Sequence, residues 1–301
     1  MASLKEVRNR ITSVKSTQQI TKAMKMVSAA KLRRAQDKII QLRPYADMLG
    51  AILRNLSASM TDEALQSVFT QDRNPEKVLI VVITSDRGLC GAFNANVIKA
   101  SRKLAETKYA DQLKAGKLSF LFFGKKGYDS LRKQGFQSLG NFVDVFQNLS
   151  FEKVKTAGDY ILEAFSNKEF DRVELVYNEF RNVLVQVVKS TQLLPVLNEN
   201  EADQKSLIKI NTSVDYILEP SRTEIIEELI PKSLKIQLYR AVLESNAAEQ
   251  GARMTSMDNA TENAESLLKE LKLTYNQSRQ AAITKEILEI VGGAEALKAQ
   301  S

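Results

Sequence analysis

Between Ser3 and Leu53 the chain has no glycine before Gly50 and no proline before Pro44, and between Lys232 and Val291 its only breaker is Gly251. Ala, Leu, Lys, Arg, Gln and Met recur through both stretches, so each reads as one long helix. At 1.5 Å per residue each helix is roughly 75–90 Å long, far beyond what one domain needs to cover its core. The chain is therefore expected to carry helical surface that something outside the domain must meet.

Both stretches show apolar residues at alternating spacings of three and four. In the first, Leu4, Val7, Ile11 and Val14 keep this step, as do Leu32, Ala35, Ile39 and Leu42, with Ile20, Met24 and Val27 between. The register reads as broken near Gln18 and Gln19 and again from Ser28 to Ala30. In the second, Met257, Ala260, Ala264, Leu267 and Leu271 form a seam that Ala281, Thr284, Leu288 and Val291 resume. An arm entering a domain and an arm leaving it run antiparallel when the chain ends lie close together, so an antiparallel coiled coil is expected. The alternative is a pair of amphipathic helices folded back on a core, and the arms' length argues against it.

With 44% hydrophobic and 26% charged residues in 301, a folded core is within reach and one or two domains are expected. No window approaches 18 consecutive apolar residues, and the basic start lacks the apolar stretch of a signal peptide. The single cysteine, Cys90, rules out an internal disulfide framework. The lack of any histidine removes the usual general base, the Ser/His and Cys/His pairs and the commonest zinc ligand. Charge is unevenly placed: residues 1–54 hold 12 Lys or Arg against Glu6, Asp37 and Asp47, a surplus of +9 in a chain whose net charge is +7. That arm calls for an acidic partner, whether nucleic acid, anionic lipid or acidic protein loops, unless the charge is only a solvated face.

The middle of the chain changes period. Residues 77–84 form a continuous apolar, β-branched run that suits a strand buried on both faces, with a helix over 94–107 after it. Strands are expected at 117–123, 172–177 and 182–188, and helices at 126–134 and 151–167. This alternation predicts a Rossmann-like layered α/β domain over residues 75–195. Residues 198–203 read as an acidic surface loop, and Pro220 and Pro231 as brackets of a short helix before the last arm. The expected organisation is a first arm over 1–56, the α/β domain, and a second arm over 221–291.

The loop from Thr84 to Gly91 follows the first strand, where α/β folds place ligands. It carries neither a dinucleotide-binding nor a phosphate-loop pattern, and the run from Gly124 to Gly127 fails both as well. Gly88 and Gly91 are then read as suppliers of unusual backbone angles, and Cys90, lacking a histidine to activate it, as a buried small residue. Two further readings remain on the residues alone. One is a nucleic-acid-binding protein with a basic arm, although base-reading clusters and stacking aromatics are missing from that arm. The other is a Rossmann-type enzyme, which would need a cofactor to supply its acid and base.

Three segments then resemble one family: residues 20–27 in the first arm, 84–94 after the first strand and 279–290 in the last arm, joined by 249–254 and by the order arm, domain, arm. The whole chain is similar to the gamma subunits of the ATP synthase soluble head, of bacterial type. The resemblance implies a rotor without catalytic, cofactor or metal sites of its own. Its coiled coil enters a ring of three alpha and three beta subunits, and its α/β domain stands with the epsilon subunit on the ring of c subunits, at the cytoplasmic face of the bacterial membrane. Membrane association would come only through those partners, and nucleic acid would not be one. Carried over by position, Met24, Lys25, Arg279, Gln280, Thr284 and Glu286 are expected to couple to the ring. Lys22, Lys31, Arg33 and Arg34, with Lys25, are expected to face an acidic collar. Ile283, Ile287, Leu288, Ile290 and Val291 would suit an apolar sleeve. The paired-cysteine insertion of chloroplast members is missing, so thiol regulation is not expected.

Overall fold

The computed structural model describes residues 4–58, 68–71, 73–139, 142–196, 219 and 221–299. The expected acidic loop at 198–203 and Pro220 lie outside them. The chain divides into two compact units, residues 29–253 and residues 1–28 with 254–301. Two long helices, α1 (Leu4–Ala58) and α6 (Arg222–Ala299), contribute to both.

The larger unit is built on a five-stranded sheet. Its strands are β1 (Val78–Ile83), β2 (Leu118–Phe123), β3 (Ser138–Leu139), β4 (Arg172–Phe180) and β5 (Gln186–Leu194), in the spatial order β3-β2-β1-β4-β5. The first four run parallel, while β5 pairs antiparallel with β4 and shifts register at Val173/Glu174. Every residue of β1 and β2 is buried, because helices cover both faces. On one face Val78, Ile80 and Val82 pack with Val97 and Ala105 of α2 (Phe93–Thr107) and with Tyr109, just before the short α3 (Ala110–Lys114). Leu131 of α4 (Lys125–Lys133) completes that layer. On the other face Leu79, Val81 and Ile83 meet Val154, Ile161 and Phe165 of α5 (Phe151–Ser166), and Leu234, Leu238 and Val242 of α6. The Rossmann-like α/β layers expected from the alternating pattern are present, and the chain reverses its direction across the sheet between β1 and β4.

Two boundaries differ from expectation. Strand β5 begins at Gln186 rather than Asn182, because the Asn182 side-chain oxygen accepts from the amides of Leu184 (3.0 Å) and Val185 (2.7 Å) and closes a turn there. The short helix ending at Pro231 does not exist as a separate element, since α6 runs through Pro231. An internal proline costs about 3 kcal/mol. Here Ile230, Leu234 and Leu238, one helical face spanning the proline, are all buried in the domain core and hold the helix together.

In the smaller unit, α1 and α6 form the expected antiparallel coiled coil, fixed by Thr21 opposite Thr261 (Oγ–Oγ 2.8 Å) and Lys25 opposite Asp258 (2.5 Å). Its register is unbroken, contrary to the reading of the apolar pattern. Over residues 4–28 the seam of α1 runs through the buried or half-buried Leu4, Val7, Ile11, Val14, Gln18, Thr21, Lys25 and Ser28, a strict alternation of three and four, with the half-buried Met24 beside it. Polar residues fill four consecutive seam positions, while Ile20, Met26 and Val27 point outward. On α6 the matching series is Met257, Thr261, Ala264, Leu268, Leu271, Tyr275, Ser278 and Ala282. Ala260 and Leu267 flank this line instead of defining it.

Candidate coupling surfaces

The antiparallel pairing sets where α1 stops supporting α6. Thr21 meets Thr261 and Lys25 meets Asp258, so Leu4 falls level with about Ser278 for two helices of equal rise. Ala282 is the last half-buried residue, and residues 283–294 are all exposed. The expected return of a seam at Thr284, Leu288 and Val291 does not occur within this chain. Ile283, Ile287, Leu288, Ile290 and Val291 are instead 48–72% exposed. Ile283, Ile287 and Ile290 share one face at spacings of four and three, with Thr284, Leu288 and Val291 beside them. Lys285, Glu286 and Glu289 occupy the other side, where Lys285 pairs with Glu289 at 3.6 Å. Arg279, Gln280, Thr284 and Glu286 all lie exposed on this last stretch of helix.

Met24 is half-buried beside the polar seam, and Lys22 is exposed. Lys25 is different: its ammonium is engaged by Asp258 inside the coil, so part of its charge is neutralised there. Sequence reading missed Asp258, which lies on the helical face next to the seam and carried no motif. In the larger unit Lys31, Arg33 and Arg34 are exposed, flanking the buried Leu32 and Ala35 that pack on Ala247. The alternation of apolar and basic residues along α1 thus separates a packed side from a charged outer side.

The loop after β1, the natural ligand position of the fold, is occupied by the protein itself. The Arg253 guanidinium of α6 donates through Nη2 to the carbonyls of Arg87 and Gly88, both at 3.2 Å, and through Nη1 to Glu249 Oε1 at 2.5 Å. Burial pushes the Glu249 carboxyl above its ordinary range, with the Arg253 charge working against that rise. Ser85 donates its hydroxyl to the Arg87 carbonyl (2.6 Å), and its amide donates to the Asn94 side chain (2.9 Å). Leu89 and Gly91 adopt φ of 63° and 57°. Cys90 is buried among Phe93, Ala248 and Ala252, and burial pushes its thiol up, which suits packing and not nucleophilic work.

The run from Gly124 to Gly127 has a steric explanation. A Cβ on Gly124 would lie 2.2 Å from the Thr84 carbonyl oxygen, and one on Gly127 would lie 2.8 Å from Thr84 Oγ1. The Gly127 amide donates to that hydroxyl at 2.9 Å, so the turn closes on β1 rather than around a phosphate. A cleft of about 470 Å³ opens between α2 and α4, lined by Ile98, Lys99, Arg102 and Lys126 among others. No group of three or more Cys, Asp or Glu side chains able to hold a metal ion occurs among the described residues.

The model of the ATP synthase family matches residues 3–297. An ATP synthase gamma chain of Cytophaga hutchinsonii is 57% identical over 298 residues, covering 99% of each chain, and one of Flavobacterium johnsoniae is 53% identical with 99% of each covered. Among solved structures, a chain of the Euglena gracilis mitochondrial ATP synthase, OSCP/F1/c-ring in rotational state 3, aligns with a TM-score of 0.67 at 22% identity, over 98% of this chain and 95% of that one. A chain of the Tetrahymena thermophila mitochondrial ATP synthase central stalk and c-ring aligns with a TM-score of 0.58 at 26% identity, over 80% of this chain and 99% of the other.

Proposed function

The chain belongs to the family of ATP synthase gamma chains, and from that premise we propose that it is the central-stalk rotor, a non-catalytic subunit that couples ion-driven rotation to ATP synthesis or hydrolysis on its neighbours. The observation that carries this reading is the free end of α6. From Ile283 to Ala299 the helix outruns its partner by about 25 Å at 1.5 Å per residue, with an apolar face exposed. Such a surface is unfavourable in water and suits an apolar sleeve that lets it turn.

In this reading the sleeve is a ring of three alpha and three beta subunits. Met24, Arg279, Gln280, Thr284 and Glu286 meet its loops, and Lys22, Lys31, Arg33 and Arg34 face acidic side chains of the beta subunits. Lys25 contributes partly through its pair with Asp258. Diffuse charge is the appropriate chemistry for a turning surface, because one deep ion pair would create a single resting angle. The α/β domain stands with an epsilon subunit on the c-subunit ring at the cytoplasmic face of the membrane. No helix among the described residues is long and apolar enough to cross a membrane, so attachment is assigned to those partners.

Gentle affinity purification of the tagged chain from its own cells tests this. The expected result is an ATP-hydrolysing assembly with one copy of this chain for three copies each of two larger subunits. Recovery as a monomer, or with nucleic acid and no ATPase, overturns the reading.

A further inference from the structure

A rotor needs its driven part to hold its shaft against slipping, and α6 has one segment that is enclosed on nearly every side. From Ala241 to Arg253 every residue is buried except Asn246, which is half-buried. A helix ordinarily keeps one polar face in water, so such a segment is gripped rather than merely packed. Its wall comes from four elements of the same unit. Val242 meets the sheet core, Ala247 meets Leu32 and Ala35 of α1, and Ala248 and Ala252 meet Cys90 and Phe93. Gly251 faces the β4–β5 turn, where a Cβ would lie 3.4 Å from Phe180 Cε2 and 3.5 Å from the Val183 carbonyl oxygen.

The small residues Ala247, Ala248, Gly251 and Ala252 let these elements approach closely, but they leave a smooth helix. Apolar contact is non-directional and resists separation better than rotation about the helix axis. Arg253 supplies what the alanines lack. Its planar guanidinium ties two successive carbonyls of the β1–α2 loop and is itself held by Glu249 one turn earlier. The bond set is directional, desolvated and off the helix axis, and any rotation of α6 within the domain must break it. It also lies 11 residues, about 16 Å, beyond Val242, so the domain holds α6 at two separated points.

We propose that residues 241–253 of α6 are the grip through which the α/β domain holds the shaft, and that Arg253 is the positioning residue that locks it against twisting by tying α6 to the carbonyls of Arg87 and Gly88. The proposal rests on the rotor reading above and assigns the place where torque passes from the domain into α6.

The test uses Arg253→Ala, Arg253→Lys and Glu249→Gln in the complete membrane-bound complex. Three quantities are read: hydrogen exchange of the amides over residues 85–91, ATP hydrolysis, and ATP-driven proton pumping. For Arg253→Ala, loop exchange should quicken at least tenfold and hydrolysis should stay within a factor of two, while pumping per ATP falls at least threefold. Arg253→Lys keeps the charge without the fork and should resemble Arg253→Ala more than the natural chain. Glu249→Gln leaves a neutral acceptor and should fall between them; it also serves as the working variant should Arg253→Ala fail to assemble. A purely structural role would lower the yield of complex and both activities together, leaving pumping per ATP unchanged. That ratio staying at the natural value while the loop loosens overturns the proposal and leaves the rotor reading intact. Absence of the natural chain from any ATP-hydrolysing assembly overturns the rotor reading itself.

Discussion

Removing residues 283–301 separates the chain's own stability from its work in a partner. Residues 283–294 are exposed and stand beyond the last half-buried seam residue, Ala282, so the isolated chain should lose less than about 0.5 kcal/mol, as for changes away from packed features. The partner-bound state should lose much more. Ile283, Ile287, Leu288, Ile290 and Val291 each retain 48–72% of their surface. Full burial of such a side chain is worth roughly 1.5–3 kcal/mol, so covering the remainder of all five amounts to roughly 4–8 kcal/mol gross. Ordering costs and the looseness a turning bearing requires reduce this, and a net loss of about 2 kcal/mol, near 30-fold in affinity, is expected. Thermal melting of the isolated chain and dissociation of the complex on dilution, run on both forms, measure the two quantities. A truncated chain that melts much earlier alone, or a complex that is unaffected, would refute the argument that this helix end is a bearing surface.

Other substitutions probe the fold locally. Gly124→Ala places a Cβ 2.2 Å from the Thr84 carbonyl oxygen at φ +92°; it should cost more than about 2 kcal/mol in denaturant titration, whereas Gly292→Ala, which meets nothing within 4 Å, should be neutral or raise helicity. A double-mutant cycle on Lys25 and Asp258, whose side chains are 38% and 41% exposed, should give a coupling of only about 0.5–1 kcal/mol that shrinks with salt. Tyr109→Phe removes a 2.6 Å hydrogen bond to the buried Glu174 and should cost roughly 1.5–3 kcal/mol of unfolding free energy. Arg253→Ala should be pH-dependent. Burial already raises the folded Glu249 carboxyl above its unfolded value, so ionised Glu249 disfavours the fold increasingly as pH climbs through the carboxylate range. Losing the Arg253 charge raises that carboxyl further, so the variant's deficit in melting temperature should be larger at pH 8 than at pH 5.

The helices and the first two strands were legible because their signals are local. A stretch without breakers is helical wherever it sits, and six consecutive buried residues in β1 leave a continuous apolar run. The seam was only partly legible. Gln18, Thr21, Lys25 and Ser28 occupy core-facing positions that composition marks as surface, and they are tolerated because Thr21 and Lys25 find partners in Thr261 and Asp258. Ile20 and Val27 misled the reading for the converse reason: they are apolar yet face outward. Pro231 was read as a boundary because propensity is local, whereas the packing of Ile230, Leu234 and Leu238 that overrides it is not. In the sequence, Arg253 and Glu249 are marked only by lying within the segment 249–254 that carries the family resemblance. Only the fold shows that Arg253 also reaches two carbonyls more than 160 residues earlier.

A central-stalk rotor must turn within its ring. Cys90 is 1% exposed, so a single cysteine introduced at the exposed Lys103 of α2 can be labelled selectively. With the catalytic head fixed to a surface and a visible probe on that cysteine, addition of ATP should drive stepwise rotation in one direction, at a rate that follows hydrolysis. Sustained ATP hydrolysis with a stationary probe on intact, correctly assembled complexes would contradict the rotor reading.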